Sequence, residues 1–218
     1  RTGHARQRAR LSRVAGAVVH DLAIFPLGTV LFPGGVLPLR VFETRYLDLV
    51  RECTAADAPF GVCLITEGSE VGEAARHEAV GCTAHIVDFD MEKAGVLNLR
   101  TVGGQRFRVL ERRVGKDRLI RADVEMIDAD ESAAVPKEFA ACASLLRRLV
   151  DDLVAREPDP MRQMIAAPYD FDSAAWVGNR LCEFLPIPPR ARQKLMELED
   201  APTRLSLIHQ YLQQHRVI

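Results

Sequence analysis

The sequence predicts an α+β protein of two successive parts, with strands first and helices afterwards. Up to about residue 130 the chain consists of short apolar runs separated by turns, which is typical of strands. After the acidic stretch 128–132, apolar residues recur every three or four positions, which is typical of helices. Strands and helices in separate blocks indicate the α+β class.

The first part is predicted to contain seven strands and one helix. The helix follows Glu43 and Thr44, because Tyr46, Val50 and Cys53 recur at helical spacing opposite charged residues. The Gly103-Gly104 pair is interpreted as a hairpin turn. The predicted strands are 23–25, 36–41, 60–66, 80–88, 96–102, 105–113 and 119–127.

The second part is predicted to contain five helices. The first follows Pro136 and has the apolar stripe Phe139, Cys142, Leu146, Leu149 and Leu153. Each later start is marked by a capping residue or by proline at the first turn. These starts are Asp159-Pro160, Asp172-Ser173, Pro188-Pro189 and Asp200 with Pro202.

The charge of the chain is unevenly distributed. The net charge of the 218 residues is -1, but the first twenty residues carry +5, which leaves -6 for the remainder. We therefore predict a basic, disordered tail over 1–21, a β-rich domain over 22–130 and a helical domain over 131–218. The acidic body argues against a broad nucleic-acid footprint, so a nucleic-acid partner is not expected.

Several chemistries have no support in the sequence. None of the four lysines follows a phosphate-binding glycine loop, no serine lies in a GxSxG or Ser-Lys motif, and His77-Glu78 lacks the second histidine of HExxH. The five cysteines include no CxxC pair, which predicts buried thiols in a reducing cytoplasm. We expect no enzyme activity, no cofactor, no metal site and no membrane span.

Several segments resemble the N-terminal domain of Lon proteases, in the right order from about residue 22 to 214. Residues 25–39, FPLGTVLFPGGVLPL, resemble the opening of that domain, and 41–46, VFETRY, its first helix. Residues 78–86, EAVGCTAHI, and 104–110, GQRFRVL, are similar to two of its strands. Residues 176–188 followed by Lys194-Leu195-Met196-Glu197 resemble its helix junction.

The resemblance implies a β-rich PUA-like pseudobarrel followed by a C-terminal helical bundle. It also implies a substrate-recognition module that stands alone, without the ATPase and Ser-Lys peptidase modules of Lon. The expected partner is an unfolded or partner polypeptide, and a role as an adaptor in protein quality control is implied. The oligomeric state is left open. The candidate polypeptide-binding residues are Phe32, Leu37, Phe42, Arg45 and Tyr46.

An alternative hypothesis is an RNA-binding PUA-like protein that uses a basic strand region between Arg106 and Arg121. In Arg106-Phe107-Arg108 the alternation places both arginines on one strand face. The hypothesis predicts binding that weakens steeply with salt. Its candidate residues are Arg106, Arg108, Arg112, Arg113 and Lys116.

Overall fold

The computed structural model describes residues 16–159 and 162–218, and these form two compact units. The β-rich unit extends to Ala129 but excludes Gly34–Leu37. The helical unit comprises Gly34–Leu37 and Asp130–Ile218. The short segment 34–37 therefore groups with the helices, although it lies far from them in the sequence.

The described residues before Asp130 form a seven-stranded sheet and one helix, and the first two residues of one strand, Val36 and Leu37, group with the helical unit. The helix, α1, spans Thr44–Ala56 and ends at Asp57, which adopts the left-handed conformation that closes many helices. The strands are β1 Val18–Leu27, β2 Val36–Val41, β3 Phe60–Glu67, β4 Arg76–His77, β5 Val80–Lys93, β6 Val96–Val114 and β7 Ile120–Met126.

The sheet closes on itself. Its strand order is β1-β7-β6-β5-β3-β4, β2 pairs with β6, and β1 also pairs in parallel with β3. Strands β1, β7, β6, β5 and β3 therefore form a ring in which every strand has two neighbours over part of its length. Closure removes most of the unpaired strand edges that an open sheet would expose.

Phe107 on β6 lies at the centre of the core inside the ring. Its side chain is fully buried with residues of β1, β3 and β7, among them Ile24, Cys63 and Val124. Gly81 makes room for the ring, because a Cβ atom at this position would lie 2.6 Å from Cζ of Phe107. The chain thus places its smallest residue opposite one of its largest, which is how a narrow barrel interior is filled.

The helical unit contains four helices and a short 3-10 turn at Lys137–Phe139 among its described residues. Ser173 and Asp200 cap their helices by accepting the amides of Trp176 and Thr203 at 3.2 and 2.7 Å, as the sequence predicts. The helices are α2 Ala140–Arg156, α3 Ala174–Phe184, α4 Pro189–Glu197 and α5 Ala201–Gln214. Helix α3 contacts each of the other three.

The structure differs from the sequence-based prediction at Gly103-Gly104. These glycines lie within the continuous strand β6 rather than in a turn, and the hairpin turn lies at 94–95. The register of β5 and β6 shifts between Cys82 and Ala84, opposite the glycines. A Cβ atom on Gly103 would collide with the carbonyl oxygen of Phe32. The pair therefore serves a bulge and a close backbone approach.

Two further differences concern the ends of elements. Strand β1 begins at Val18, so residues 18–21 belong to a strand rather than to a disordered tail, with Val18 and Val19 paired with β7. Residues 1–15 of that predicted tail lie outside the described residues. The helix predicted from Asp159-Pro160 starts at a position that also lies outside them, and residues 162–172 form turns and bends.

Candidate binding groove

Three of the five predicted polypeptide-binding residues are buried in the β-rich unit. Phe32 is fully buried, and Tyr46 stacks on Phe25 with 3.8 Å between ring centroids. Arg45 lies over the ring of Tyr46, donates to the carbonyl oxygen of Arg118 at 2.9 Å and pairs with Glu43. These contacts of Arg45 and Tyr46 are thus made within the β-rich unit.

The other two predicted residues are more accessible but belong to different units. Phe42 follows β2 and is 49% exposed. Leu37 lies within β2, is half-buried and groups with the helical unit. Of the five candidates, Phe42 alone presents a largely exposed aromatic surface.

The candidate nucleic-acid residues differ in burial and in their partners within the protein. Arg106 is 2% exposed and donates to the carbonyl oxygen of Asp128, and Arg112 donates to that of Ala75. Arg113 bonds to the carboxylates of Asp123 and Asp21, which raises its pKa. Arg108 and Lys116 are exposed. Three of the five candidate side chains, those of Arg106, Arg112 and Arg113, therefore already form hydrogen bonds or ion pairs within the protein.

The helical unit carries an open apolar groove between α4 and α5, with a volume of about 480 Å³. Its floor includes Ile208, which is 1% exposed, and its rim includes Leu207, which is 43% exposed. The only charged side chain in its lining is Lys194, which pairs with Glu197 at 2.8 Å. The lining residues are Ile187, Ala191, Lys194, Leu195, Leu198, Leu207, Ile208 and Tyr211.

Helical spacing explains how the sequence builds this groove. Ala191 and Leu195 lie four residues apart on α4, so they share one face, and Leu198 follows directly after the helix. Leu207 and Tyr211 lie four residues apart on α5 and form the opposite wall. Leu205, Ile208 and Leu212 form the buried stripe of α5, and the sequence analysis named no residue of the groove as a binding candidate. Leu207, an apolar residue beside that stripe, was the available signal.

A buried arginine fixes α5 against the end of α4. Arg204 is 1% exposed and forms a bidentate ion pair with Asp130, at 2.6 and 3.2 Å. Its Nε donates to the carbonyl oxygen of Leu195 at 2.8 Å, and its Nη2 donates to that of Leu198. These carbonyl groups end α4, so the arginine caps that helix and holds the two walls of the groove together.

A second ion pair lies on α3, next to the glycine turn that carries the resemblance. Arg180 is 2% exposed and lies 2.7 Å from the carboxylate of Glu183. Burial raises the pKa of Glu183 to about 7, although the charge of Arg180 opposes this shift. Nη1 of Arg180 also lies against Gly34, where a Cβ atom would be 3.1 Å away. Gly34 is therefore packed against Arg180 of α3.

No group of three or more histidine, cysteine, aspartate or glutamate side chains is arranged to hold a metal ion within residues 16–159 and 162–218. In the same part of the chain, no helix has the length and apolar character required to cross a membrane. The five cysteines are buried free thiols, as predicted. Burial raises the pKa of Cys53 and of Cys142 to about 11 and that of Cys182 to about 12.

The described residues thus form a mixed α/β protein whose helices carry an open apolar groove, a feature at which ligands commonly bind. The chain belongs to the family of ATP-dependent protease La (LON) substrate-binding domains, whose family model matches residues 21–214.

Individual relatives agree with this assignment. The chain is 25% identical over 199 residues to the Lon protease of Anaeromyxobacter dehalogenans (strain 2CP-C), covering 90% of this chain and 23% of that protein. It thus spans about a quarter of the length of the curated Lon relatives. The match is to the substrate-binding domain alone.

Solved structures place the fold in the same group. A Lon N-terminal domain protein from Xanthomonas campestris is 36% identical, with a TM-score of 0.72 over 88% of this chain and 99% of that one. The N-terminal domain of a Mycobacterium avium complex Lon protease has a TM-score of 0.58 over 91% of this chain and 100% of that one. Its identity of 16% supports the fold alone.

Proposed function

We propose that this protein is a non-catalytic polypeptide-binding module that recognises unfolded or partner polypeptide and serves as an adaptor in protein quality control. In this proposal the closed sheet is the PUA-like pseudobarrel of the Lon N-terminal domain, and α2–α5 form its helical bundle. Membership of the Lon substrate-binding family supports the recognition role. The five unpaired thiols support a cytoplasmic location.

The observation that carries the proposal is the apolar groove between α4 and α5. Burying one Leu-sized or Phe-sized side chain there contributes roughly 1.5–3 kcal/mol. Ordering an unfolded chain offsets much of this gain, so we expect affinities in the micromolar range or weaker. Weak, apolar and sequence-tolerant binding suits a module that has to hold many unfolded chains.

The test is a titration of labelled casein, which has little stable structure, into the protein, followed by fluorescence anisotropy. Leu207→Glu places a charge on the rim of the groove and should weaken binding about tenfold or more, since a carboxylate is poorly accommodated against apolar surface. Leu110→Glu is the matched control. Leu110 is 54% exposed and Leu207 43% exposed, but Leu110 lies on β6 and does not line the groove.

Both variants should retain the thermal midpoint of the wild type, because both leucines are largely exposed. Equal binding by the two variants would remove the groove from the proposal. Absence of binding by the wild type would reject the polypeptide-binding function itself. Incubation of casein with the protein, with and without ATP, should leave the casein intact, and cleavage by pure protein would reject the non-catalytic part of the proposal.

A further inference from the structure

A second candidate surface, which lies on the β-rich unit, has the features of a site at which an additional strand could pair. Strand β5 pairs with β3 through Cys82, Thr83 and Ala84, and with β6 along most of its length. Beyond Ala84, β6 is its one strand neighbour among the residues that the structure describes. Residues 87–93 are all exposed. The outer edge of this part of β5 therefore presents backbone groups without a neighbouring strand, which is the template required for strand addition.

One face of this edge is apolar. Phe89 is opposite Leu99 in the β5–β6 register, and Met91 is opposite Leu97. Leu99 is 3% exposed, whereas Phe89 is 52% and Met91 65% exposed. On this face of the β5–β6 hairpin, Leu99 of β6 is thus buried, whereas Phe89 and Met91 of β5 are exposed to solvent. An added strand would cover Phe89 and Met91 if it presented apolar side chains on the same face.

The other face of the edge is acidic. Asp88 and Asp90 alternate with the apolar residues and are exposed. Their register partners on β6 are Arg100 and Asn98, one strand further from the edge. Glu92 is already engaged by Arg40 through two hydrogen bonds, of 2.9 and 3.0 Å. The carboxylates of Asp88 and Asp90 would therefore lie directly opposite the side chains of an added strand.

The charges of Asp88 and Asp90 indicate which kind of strand would pair with this edge. If two copies of the chain paired antiparallel through this edge, centred on Phe89, Asp88 of each copy would face Asp90 of the other. Like charges directly opposite each other destabilise strand pairing, so the edge disfavours a second copy. Lysine or arginine at alternate positions would instead pair with both carboxylates.

We propose that residues 86–92 of β5 bind an extended segment of a partner protein in which apolar and basic side chains alternate. The segment adds as a strand beside β5, with its apolar side chains over Phe89 and Met91 and its basic side chains opposite Asp88 and Asp90. This surface is separate from the groove on the helices, and the inference does not depend on the function proposed for that groove.

The probe is a short labelled peptide of alternating valine and lysine, titrated into the full-length protein and followed by fluorescence anisotropy. One control peptide has the same composition with its lysines grouped together, and another alternates valine with glutamate. We expect the alternating Val/Lys peptide to bind most tightly, with an affinity that falls as ionic strength rises. Addition of this peptide should slow the amide hydrogen exchange of residues 86–92.

The test variant combines Asp88→Lys with Asp90→Lys. Its affinity for the Val/Lys peptide should fall on the order of tenfold, because two attractive cross-strand pairs become repulsive, and it should prefer the Val/Glu peptide. The matched control combines Glu131→Lys with Glu138→Lys. This pair makes the same change in net charge at exposed positions of the helical unit and should bind as the wild type does.

Three binding results would overturn the proposal. They are no binding of the Val/Lys peptide, equal binding of the alternating and grouped peptides, and equal loss of affinity in the test and control variants. Self-association of the wild type that the test variant abolishes would also overturn it, since the occupant would then be a second copy. Circular dichroism and the thermal midpoint show whether both variants are folded before these results are compared.

Discussion

Replacing Arg204 with methionine should be among the most destabilising changes in the helical unit. Arg204→Met keeps an unbranched apolar stem but removes every donor that the guanidinium supplies. The change leaves the Asp130 carboxylate, which is 7% exposed, without its bidentate partner. It also leaves the carbonyl groups of Leu195 and Leu198 without this donor at the end of α4.

The magnitude follows from the burial of both partners. Removing one member of a buried ion pair costs about 3–5 kcal/mol, because the remaining charge stays desolvated after it loses that partner. Asp130→Asn should cost less, about 1–3 kcal/mol, because the amide oxygen still accepts a hydrogen bond from Arg204. The double variant should cost at least about 1 kcal/mol less than the two single changes together, since the residues share one interaction.

The assay is equilibrium unfolding in urea, with far-ultraviolet circular dichroism and tryptophan fluorescence as probes. Trp176 is the one tryptophan of the chain and lies on α3, so its fluorescence reports on the helical unit. Arg190→Met, at an exposed position of α4, is the control and should change the free energy of unfolding by less than about 0.5 kcal/mol. A cost below about 1 kcal/mol for Arg204→Met, or full additivity in the double variant, would refute the reasoning.

Other predictions follow from the core and from titratable groups. Because burial holds the pKa of Glu183 at about 7, the folded protein binds more protons than the unfolded chain between about pH 4.5 and 7. The free energy of unfolding should therefore fall as pH rises through this interval, and Glu183→Gln should flatten that part of the curve; an unchanged curve would contradict the assignment. Gly81→Ala should cost about 1–3 kcal/mol in urea unfolding, because the new methyl group would collide with the carbonyl oxygen of Val62 and with the ring of Phe107, and a neutral result would contradict this packing. The thiol of Cys182, with its pKa raised to about 12, should react slowly with a disulfide reagent at neutral pH until the protein is unfolded, and rapid labelling of the folded protein would contradict its burial.

Much of the secondary structure could be predicted from local patterns. Alternating apolar residues located most strands, and Ser173 and Asp200 marked the starts of α3 and α5 because capping depends only on neighbouring residues. The error at Gly103-Gly104 has a different origin. Two adjacent glycines occur both in turns and where another backbone approaches a strand, and the position of the Phe32 carbonyl decides between them.

The candidate binding residues were harder to predict because side-chain accessibility depends on packing between distant elements. Phe32, Arg45 and Tyr46 belong to the segment that carries the family resemblance, but all three are buried. Leu207 lines the groove, but it lies at a position of α5 that no sequence motif marks. An exposed apolar face and a buried one have the same helical spacing in the sequence, so the spacing alone does not separate a binding surface from a core.

The sequence by itself determined the α+β class, the change from strands to helices near residue 130, the helix caps and the resemblance to the Lon N-terminal domain. These features depend on composition, on spacing and on interactions between close neighbours along the chain. Only the tertiary structure decided that β1 closes the sheet against β3, that Arg204 joins α5 to the end of α4, and that the edge of β5 and the face of α4 and α5 stay open. Such features depend on whether residues far apart in the chain are in contact in the folded protein. Local sequence patterns do not contain this information.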